Sequence, residues 1–224
     1  MAVAEPKTVR GRETRERILR AAAEVVAEQG AAAMSLDSVG VRARASRSQL
    51  YHYFDDRADL VRAVVRATAE AVLGAQAEHL EHLDSWAAIE AWFDQLVSFQ
   101  EVGEARGGCP IGSLVGQLAE RDDTARAALA ASLDRWEGHL ADGLARMHAR
   151  GELAPRVDPS RLATATMASL QGGLLLTQAR RDPVQLRTAL DGAMSMLRTA
   201  AARPHRKAGL DMGPAARGRD TPAR

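Results

Sequence analysis

Apolar residues along this chain recur at three- and four-residue intervals, and no segment shows the alternation of a strand. From about Thr14 to Gln29, Ile18, Ala22, Val25 and Val26 mark one face of a helix, and Gly30 is a natural stop. Ser35 then caps a short helix whose inward stripe is Leu36, Val39 and Ala43. Ser46 is a second cap and opens the stretch "SRSQLYHYF". Asp55-Asp56 caps a longer helix. Its inner face, Leu60, Val61, Val64, Val65, Thr68 and Val72, continues toward His82, which predicts one uninterrupted helix from about Asp56 to His82.

Past Asp84 the same periodicity predicts helices over about 84–104, 111–120, 122–150, 159–180 and 183–201. They are separated by "RGGCPIG", by Arg121-Asp122, by "RGELAPRVDP" and by "RRDP", and each break carries Gly, Pro or a capping Asp. The fold class is therefore all-α, with no internal repeat. Residues 203–224 hold Pro, Gly and six basic residues against two acids, with almost no apolar content, the composition of a disordered basic tail.

Two short helices joined by a tight turn at Arg44-Ala45, behind a longer first helix, form a helix-turn-helix pattern. In the second short helix Leu50 points inward to Leu36 and Val39, which leaves Arg47, Ser48, Gln49, Tyr51 and His52 outside. Such a surface makes a poor core and suits a DNA major groove, where Arg reads guanine and Gln reads adenine. Phe54, at the helix end, fits the junction with the first helix, so the crowded aromatics divide into one core residue and the amphipathic Tyr51 and Tyr53.

Charge supports a local rather than a general nucleic-acid surface. The net charge is +1, yet residues 1–66 hold 12 Lys/Arg against 9 Asp/Glu, and 39–54 carry three arginines and no acid. Arginine outnumbers lysine 28 to 2, with lysine only at positions 7 and 207, which a GC-rich coding bias accounts for. No apolar run approaches the ~18–20 residues of a membrane span. The polar N-terminus has no signal-like core, and one cysteine excludes an internal disulfide. The expected location is the cytoplasm, with no membrane partner.

The string "TRERILRAAAEVVAEQG…MSLDSVGVRARASRSQLYHYFDDRADLVRAVV", and above all S-x-x-x-L-Y-x-Y-F-x-x-R-x-x-L from Ser46 to Leu60, resembles the TetR family of bacterial transcriptional regulators. The resemblance implies that Ser35, Ser46, Tyr51, His52, Tyr53 and Arg57 meet DNA phosphates, and that Arg47, Ser48 and Gln49 face bases. Two positions depart from the family pattern. Gly40 stands where Ala is usual, which predicts a slightly under-packed contact. Arg44 stands where Gly is usual in the turn, at a cost of about 1 kcal/mol. "GGCPIGSLVGQLAE" and "LQGGLLLTQARRD" are similar to the LmrA/YxaF type, which implies a bulky, planar or amphipathic inducer.

Other constellations are weaker. "EHLEH" places His79 and His82 near each other, but it lacks both the Glu-x-x-His pairing of carboxylate bundles and the zinc-hydrolase spacing. A solvated helix end and no bound metal are expected there. Cys109, beside Pro110, reads as a small buried residue rather than a sensor. No P-loop, dinucleotide fingerprint or nucleophile elbow is present, so no cofactor and no enzyme activity are expected. An all-α metal or carboxylate enzyme is the rival from another class, and a ligand-independent or activating regulator is the rival within DNA binding.

The resulting expectation is a homodimeric repressor that binds double-stranded operator DNA and is released by a small-molecule inducer. Its parts are a flexible arm (1–11), a helix-turn-helix domain (12–56), a helical ligand-binding and dimerisation domain (57–202) and the tail (203–224). Trp92, Phe99 and Trp136 are the expected walls of a pocket between the helices at 84–104, 111–120 and 122–150. Leu170, Gly173, Leu174, Leu190, Met194 and Leu197 are the expected dimer seam, since a glycine pair inside an apolar helix implies close approach of another helix.

Overall fold

The computed structural model describes Pro6 and residues 8–202. Among them the chain forms α1 (Val9–Gln29), a 3-10 turn at Ala31–Ala33, α2 (Leu36–Ala43), α3 (Arg47–Tyr53), α4 (Arg57–Gly74), α5 (Ala77–Leu80), α6 (Trp86–Val102), α7 (Pro110–Leu118), α8 (Asp123–Ala149), α9 (Pro159–Arg180) and α10 (Val184–Thr199). The fold is all-α, as the periodicity predicts. One isolated bridge, Leu153 to Ala201, fastens the α8–α9 loop to the end of α10.

Most helices begin where a side chain satisfies a free backbone donor of the first turn. Thr8, Ser35, Ser46, Asp56, Ser85, Asp122 and Asp158 all accept such a bond. Thr8 starts α1 at Val9, inside the segment expected to be a flexible arm. The basic tail and residues 1–5 and 7 lie outside the described residues.

The long helix expected from Asp56 to His82 is interrupted. α4 ends at Gly74, and the chain turns before α5. Gly74 is a poor helix former, and Gln76 holds the break from inside. It is 3% exposed; its amide donates to the Val72 carbonyl at 2.8 Å and accepts from the Trp92 indole N–H at 2.9 Å. A side-chain bond from α6 thus fixes Gln76 in the turn that follows the end of α4.

α4 joins the two parts of the molecule. It packs on α1 toward the helix-turn-helix end and on α7 and α8 along the body, where α8, α9 and α10 lie side by side. The buried residues form one continuous cluster, from Ile18 and Phe54 to Leu190 and Leu197.

The residues expected at a dimer seam are inside the protomer. Leu170, Leu190 and Leu197 are fully buried, Leu174 and Gly173 are buried, and Met194 is half-buried against the same core. Gly173 does allow a close helix approach, but the helix is α10 of the same chain. A Cβ there would come within 2.9 Å of Ala189 Cβ and Leu186 Cδ1. The apolar stripes of α9 and α10 face each other. The outward residues are Leu175 and Leu176, beside Gly172, where a Cβ would meet nothing.

Candidate functional site

α2 and α3 are held as a reading head by reciprocal caps. Ser35 and Ser38 exchange bonds at 3.0 Å. Ser46 Oγ accepts from the Gln49 backbone at 3.2 Å while Gln49 Oε1 accepts from the Ser46 backbone at 2.9 Å. Gln49 thus spends its carbonyl on its own helix and keeps its amide donors for the surface. Ser35, Ser46, Arg47, Ser48, Gln49, Tyr51 and His52 are exposed, and Tyr53 is half-buried. Arg47 lies over the Tyr51 ring at 5.7 Å, and His52 meets Tyr53 edge-on at 4.8 Å. Leu50 and Phe54 point inward, as expected, at 1% and 0% exposure.

The turn shows how the two departures from the family pattern are absorbed. Arg44 is left-handed (φ 48°, ψ 44°), the region glycine favours. Its amide bonds the Val41 carbonyl at 3.2 Å, and the Ala45 amide bonds the Gly40 carbonyl at 3.0 Å. Arg17 of α1 donates to the Ala43 carbonyl and reaches the Arg44 carbonyl at 3.4 Å. Arg17 was invisible to sequence reasoning, being one of many arginines on a polar helix face. Gly40 leaves no hole, contrary to expectation, because Leu50 fills it: a Cβ at Gly40 would lie 2.7 Å from Leu50 Cδ1.

Arg57 is placed differently from a free phosphate ligand. Its Nε donates to the Met34 carbonyl at 2.8 Å and its Nη2 to the Ala31 carbonyl at 3.0 Å, so it pins the turn ahead of Ser35. The other face of that turn is held from the body. Gln117 of α7 accepts from the Ala31 backbone N–H at 2.6 Å. Nothing in the local pattern around Gln117 signals this.

Gln117 also lines a cavity of about 820 Å³ between head and body. Phe99 and Trp136 line it, as expected. Trp92 does not: it is fully buried behind Gln76. The walls also differ from the expected set. α4 contributes Val64, Thr68 and Val72, and α1 of the head contributes Leu19 and Ala23. Cys109, on the same wall, caps α7 by accepting from the Gly112 N–H at 3.3 Å. Burial pushes its thiol pKa up, with hydrogen bonds from Gly112, Gln171 and Ile111 opposing the shift, so it is a protonated packing group. Among the described residues, no cluster of three or more His, Cys, Asp or Glu could hold a metal, "EHLEH" included. No helix among them is long and apolar enough to cross a membrane.

Residues 18–64 match the family described as bacterial regulatory proteins, tetR family, and residues 85–193 match the tetracyclin repressor-like C-terminal domain. The chain is 32% identical over 190 residues to the transcriptional regulator AcuR of Cereibacter sphaeroides, covering 81% of this chain and 85% of that protein. It is 31% identical over 180 residues to an uncharacterised HTH-type transcriptional regulator of Mycobacterium tuberculosis, covering 75% of this chain and 86% of that protein. A TetR transcriptional regulator from Chloroflexus aurantiacus shares the fold with a TM-score of 0.72 at 24% identity, over 87% of this chain and 98% of that one. These matches establish the family and do not establish the LmrA/YxaF subgroup. A capped helix-turn-helix head, a helical body and full-length regulator relatives agree: this chain belongs to the TetR family of DNA-binding transcriptional regulators and is not an enzyme.

Proposed function

We propose that the chain is a cytoplasmic, ligand-released repressor that occupies an operator as a homodimer. The observation that carries this reading is the bond between Gln117, on the cavity wall, and Ala31, in the turn that Arg57 also grips. A molecule in the cavity touches the head through α1 and reaches its turn through Gln117. Two heads of a dimer must sit about 34–36 Å apart to enter successive major grooves, so a small rotation of each head weakens both contacts together. Ligand releases DNA only by preferring the misaligned conformer.

Arg47, Ser48 and the free amide of Gln49 then read base edges, while Ser35, Ser46, Tyr51, His52 and Tyr53 contact phosphates. Arg57 acts as a positioning residue for Ser35. The dimer seam belongs on the outward side of α9, around Leu175 and Leu176, since the inward residues are occupied within the protomer. Light scattering and anisotropy on DNA selected from random sequence by the purified chain test the reading. A dimer whose DNA is released by molecules that fill the cavity is the expected result. A monomer at micromolar concentration, or DNA binding indifferent to every cavity-filling compound, would sink it.

A further inference from the structure

The turn between α2 and α3 carries a charge that the fold does not use. We propose that Arg44 is a phosphate clamp. Its guanidinium binds the DNA backbone at the end of α3 that enters the groove, and the unfavourable backbone of the turn is kept for that charge. The inference adds a contact to the reading head. It rests on DNA binding by the head and is independent of release by a ligand.

The arginines around the turn differ in what they hold. Arg17 donates to the Ala43 and Arg44 carbonyls. Arg42 is taken up by two acids of α1, with Nη1 at 2.9 Å from Glu28 Oε1 and 3.5 Å from Glu24 Oε2. Arg57 grips the Met34 and Ala31 carbonyls. These three guanidiniums hold the head together. Arg47 lies over the Tyr51 ring on the outward face. Arg44 is exposed, and its guanidinium has no hydrogen bond, ion pair or ring contact among the described residues.

The backbone makes that exposure informative. At φ 48° and ψ 44° a Cβ is crowded and glycine is favoured. The conformation is held through main-chain atoms alone: the Arg44 and Ala45 amides bond within the turn, and Arg17 takes the Ala43 and Arg44 carbonyls. Glycine would be held equally well. A side chain without contacts does nothing to offset the strain, so the fold gives no reason for arginine here. Strain that the fold does not repay gathers at binding sites.

Position supplies the reason. Ser46, two residues on, caps α3, and Ser46 and Arg47 begin its exposed face. Two peptide units place the Arg44 Cα within about 7–8 Å of the Ser46 Cα. In a helix-turn-helix the N-terminal end of the second helix enters the groove, flanked by sugar–phosphate backbone. A guanidinium on a long stem at that end reaches the flank, stays charged at every working pH and bonds phosphate through two N–H groups. No acid lies between Val39 and Phe54 to compete for it.

The test uses the full-length chain and three variants. Binding is read by anisotropy from 50 to 200 mM salt, on a duplex selected from random sequence by the wild-type chain and on its shuffled counterpart. Arg44→Gly removes strain and charge together, Arg44→Gln removes the charge alone, and Arg44→Lys keeps both. Arg44→Gly should melt about 2–4 °C higher than wild type. It should nevertheless bind both duplexes roughly 10-fold more weakly at 100 mM salt, with a salt slope shallower by about 2, one for each head of a dimer. Arg44→Gln should melt with wild type and lose the same affinity and slope, and Arg44→Lys should keep the slope. A residue serving only the fold would move stability and DNA affinity in the same direction. Affinity and slope unchanged in both Arg44→Gly and Arg44→Gln overturn the proposal. So does a loss confined to the selected duplex, which makes Arg44 a reader of bases. A loss in Arg44→Gly with none in Arg44→Gln also overturns it, since the backbone angle of the turn is then the cause.

Discussion

The head and the body solve opposite problems with the same kind of element. In the head, α2 and α3 are short, and isolated helices of that length are marginal in water. Each is therefore closed by a reciprocal cap, and the turn between them is braced by Arg17 from α1. The Arg44 and Ala45 amides and the Ala43 and Arg44 carbonyls of the turn all have partners, and the surface left over is polar and exposed. In the body the principal helices α6, α8, α9 and α10 run for 16 residues or more, and the packing leaves a cavity of about 820 Å³ against α1. The head presents a finished polar surface, and the body encloses a cavity.

Electrostatics should separate the two regions most widely. If a dimer neutralises 6–10 phosphates, DNA affinity should fall roughly 10³–10⁵-fold between 50 and 200 mM salt. Binding of a neutral probe in the cavity should change little over the same range, because no charged pair forms there. Parallel titrations check this. A cavity affinity that falls steeply with salt would place charge recognition in the body and erase the contrast.

Glycine substitutions give the next largest effect. Gly143 of α8 faces the backbone of the loop before α6: a Cβ there would sit on the Leu83 carbonyl, with the carbonyl carbon at 2.6 Å. Backbone cannot step aside as a side-chain tip can. Gly143→Ala should cost about 3 kcal/mol or more, seen as a Tm lower by about 6–12 °C. A melting curve within a degree or two of wild type would show that α8 and the loop can separate without loss.

The regions also differ in how far the sequence disclosed them. Helix starts in both were legible, because Ser35, Ser46, Asp56 and their equivalents act within one turn of themselves. The outward face of α3 was legible for the same local reason. What escaped depends on distant partners. Gln76, in the turn after Gly74, is fixed by Trp92 of α6, and a periodic stripe running on to His82 misled. Leu170, Leu174, Leu190 and Leu197 have seam-like spacing, but spacing cannot say whether the facing helix lies in the same chain or in a copy. The cavity was expected among three body helices, and α1 and α4 proved to be walls because the head docks there. Gln117 and Arg17 are ordinary polar residues until the fold brings a main-chain turn to them.

Gln117 is the point where the comparison can be cut. Gln117→Ala removes the acceptor for the Ala31 N–H and keeps the Arg57 grip on the Ala31 carbonyl. Operator affinity without ligand should stay within about 3-fold of wild type, since the head retains its own caps and brace. The ratio of operator affinities with and without a releasing ligand should shrink by about 1–2 kcal/mol, most of a typical allosteric coupling. Anisotropy with and without ligand measures both quantities. An unchanged ratio would mean that α1 alone carries the signal. Operator binding lost outright would mean that the body finishes the head.

The smallest effect is expected at Gly40, the head's counterpart to Gly143. Here too a Cβ has no free space, but the nearest atom is Leu50 Cδ1 at 2.7 Å, the tip of a flexible side chain, and the Ala45 carbonyl lies farther off at 3.3 Å. A rotamer adjustment of Leu50 relieves the first contact at a cost of order 0.5–1.5 kcal/mol. Alanine in place of glycine inside a helix returns about 1 kcal/mol. The two nearly cancel, so Gly40→Ala should shift stability by less than about 1 kcal/mol in either direction, with a Tm change of at most about 4 °C. Operator affinity should follow the same rule, because Leu50 lies on the inner side of α3 and the reading residues on the outer side. A loss of operator affinity beyond about 10-fold with an unchanged Tm would show that α3 has rotated to make room. In that case Gly40 sets the angle at which the reading helix enters the groove.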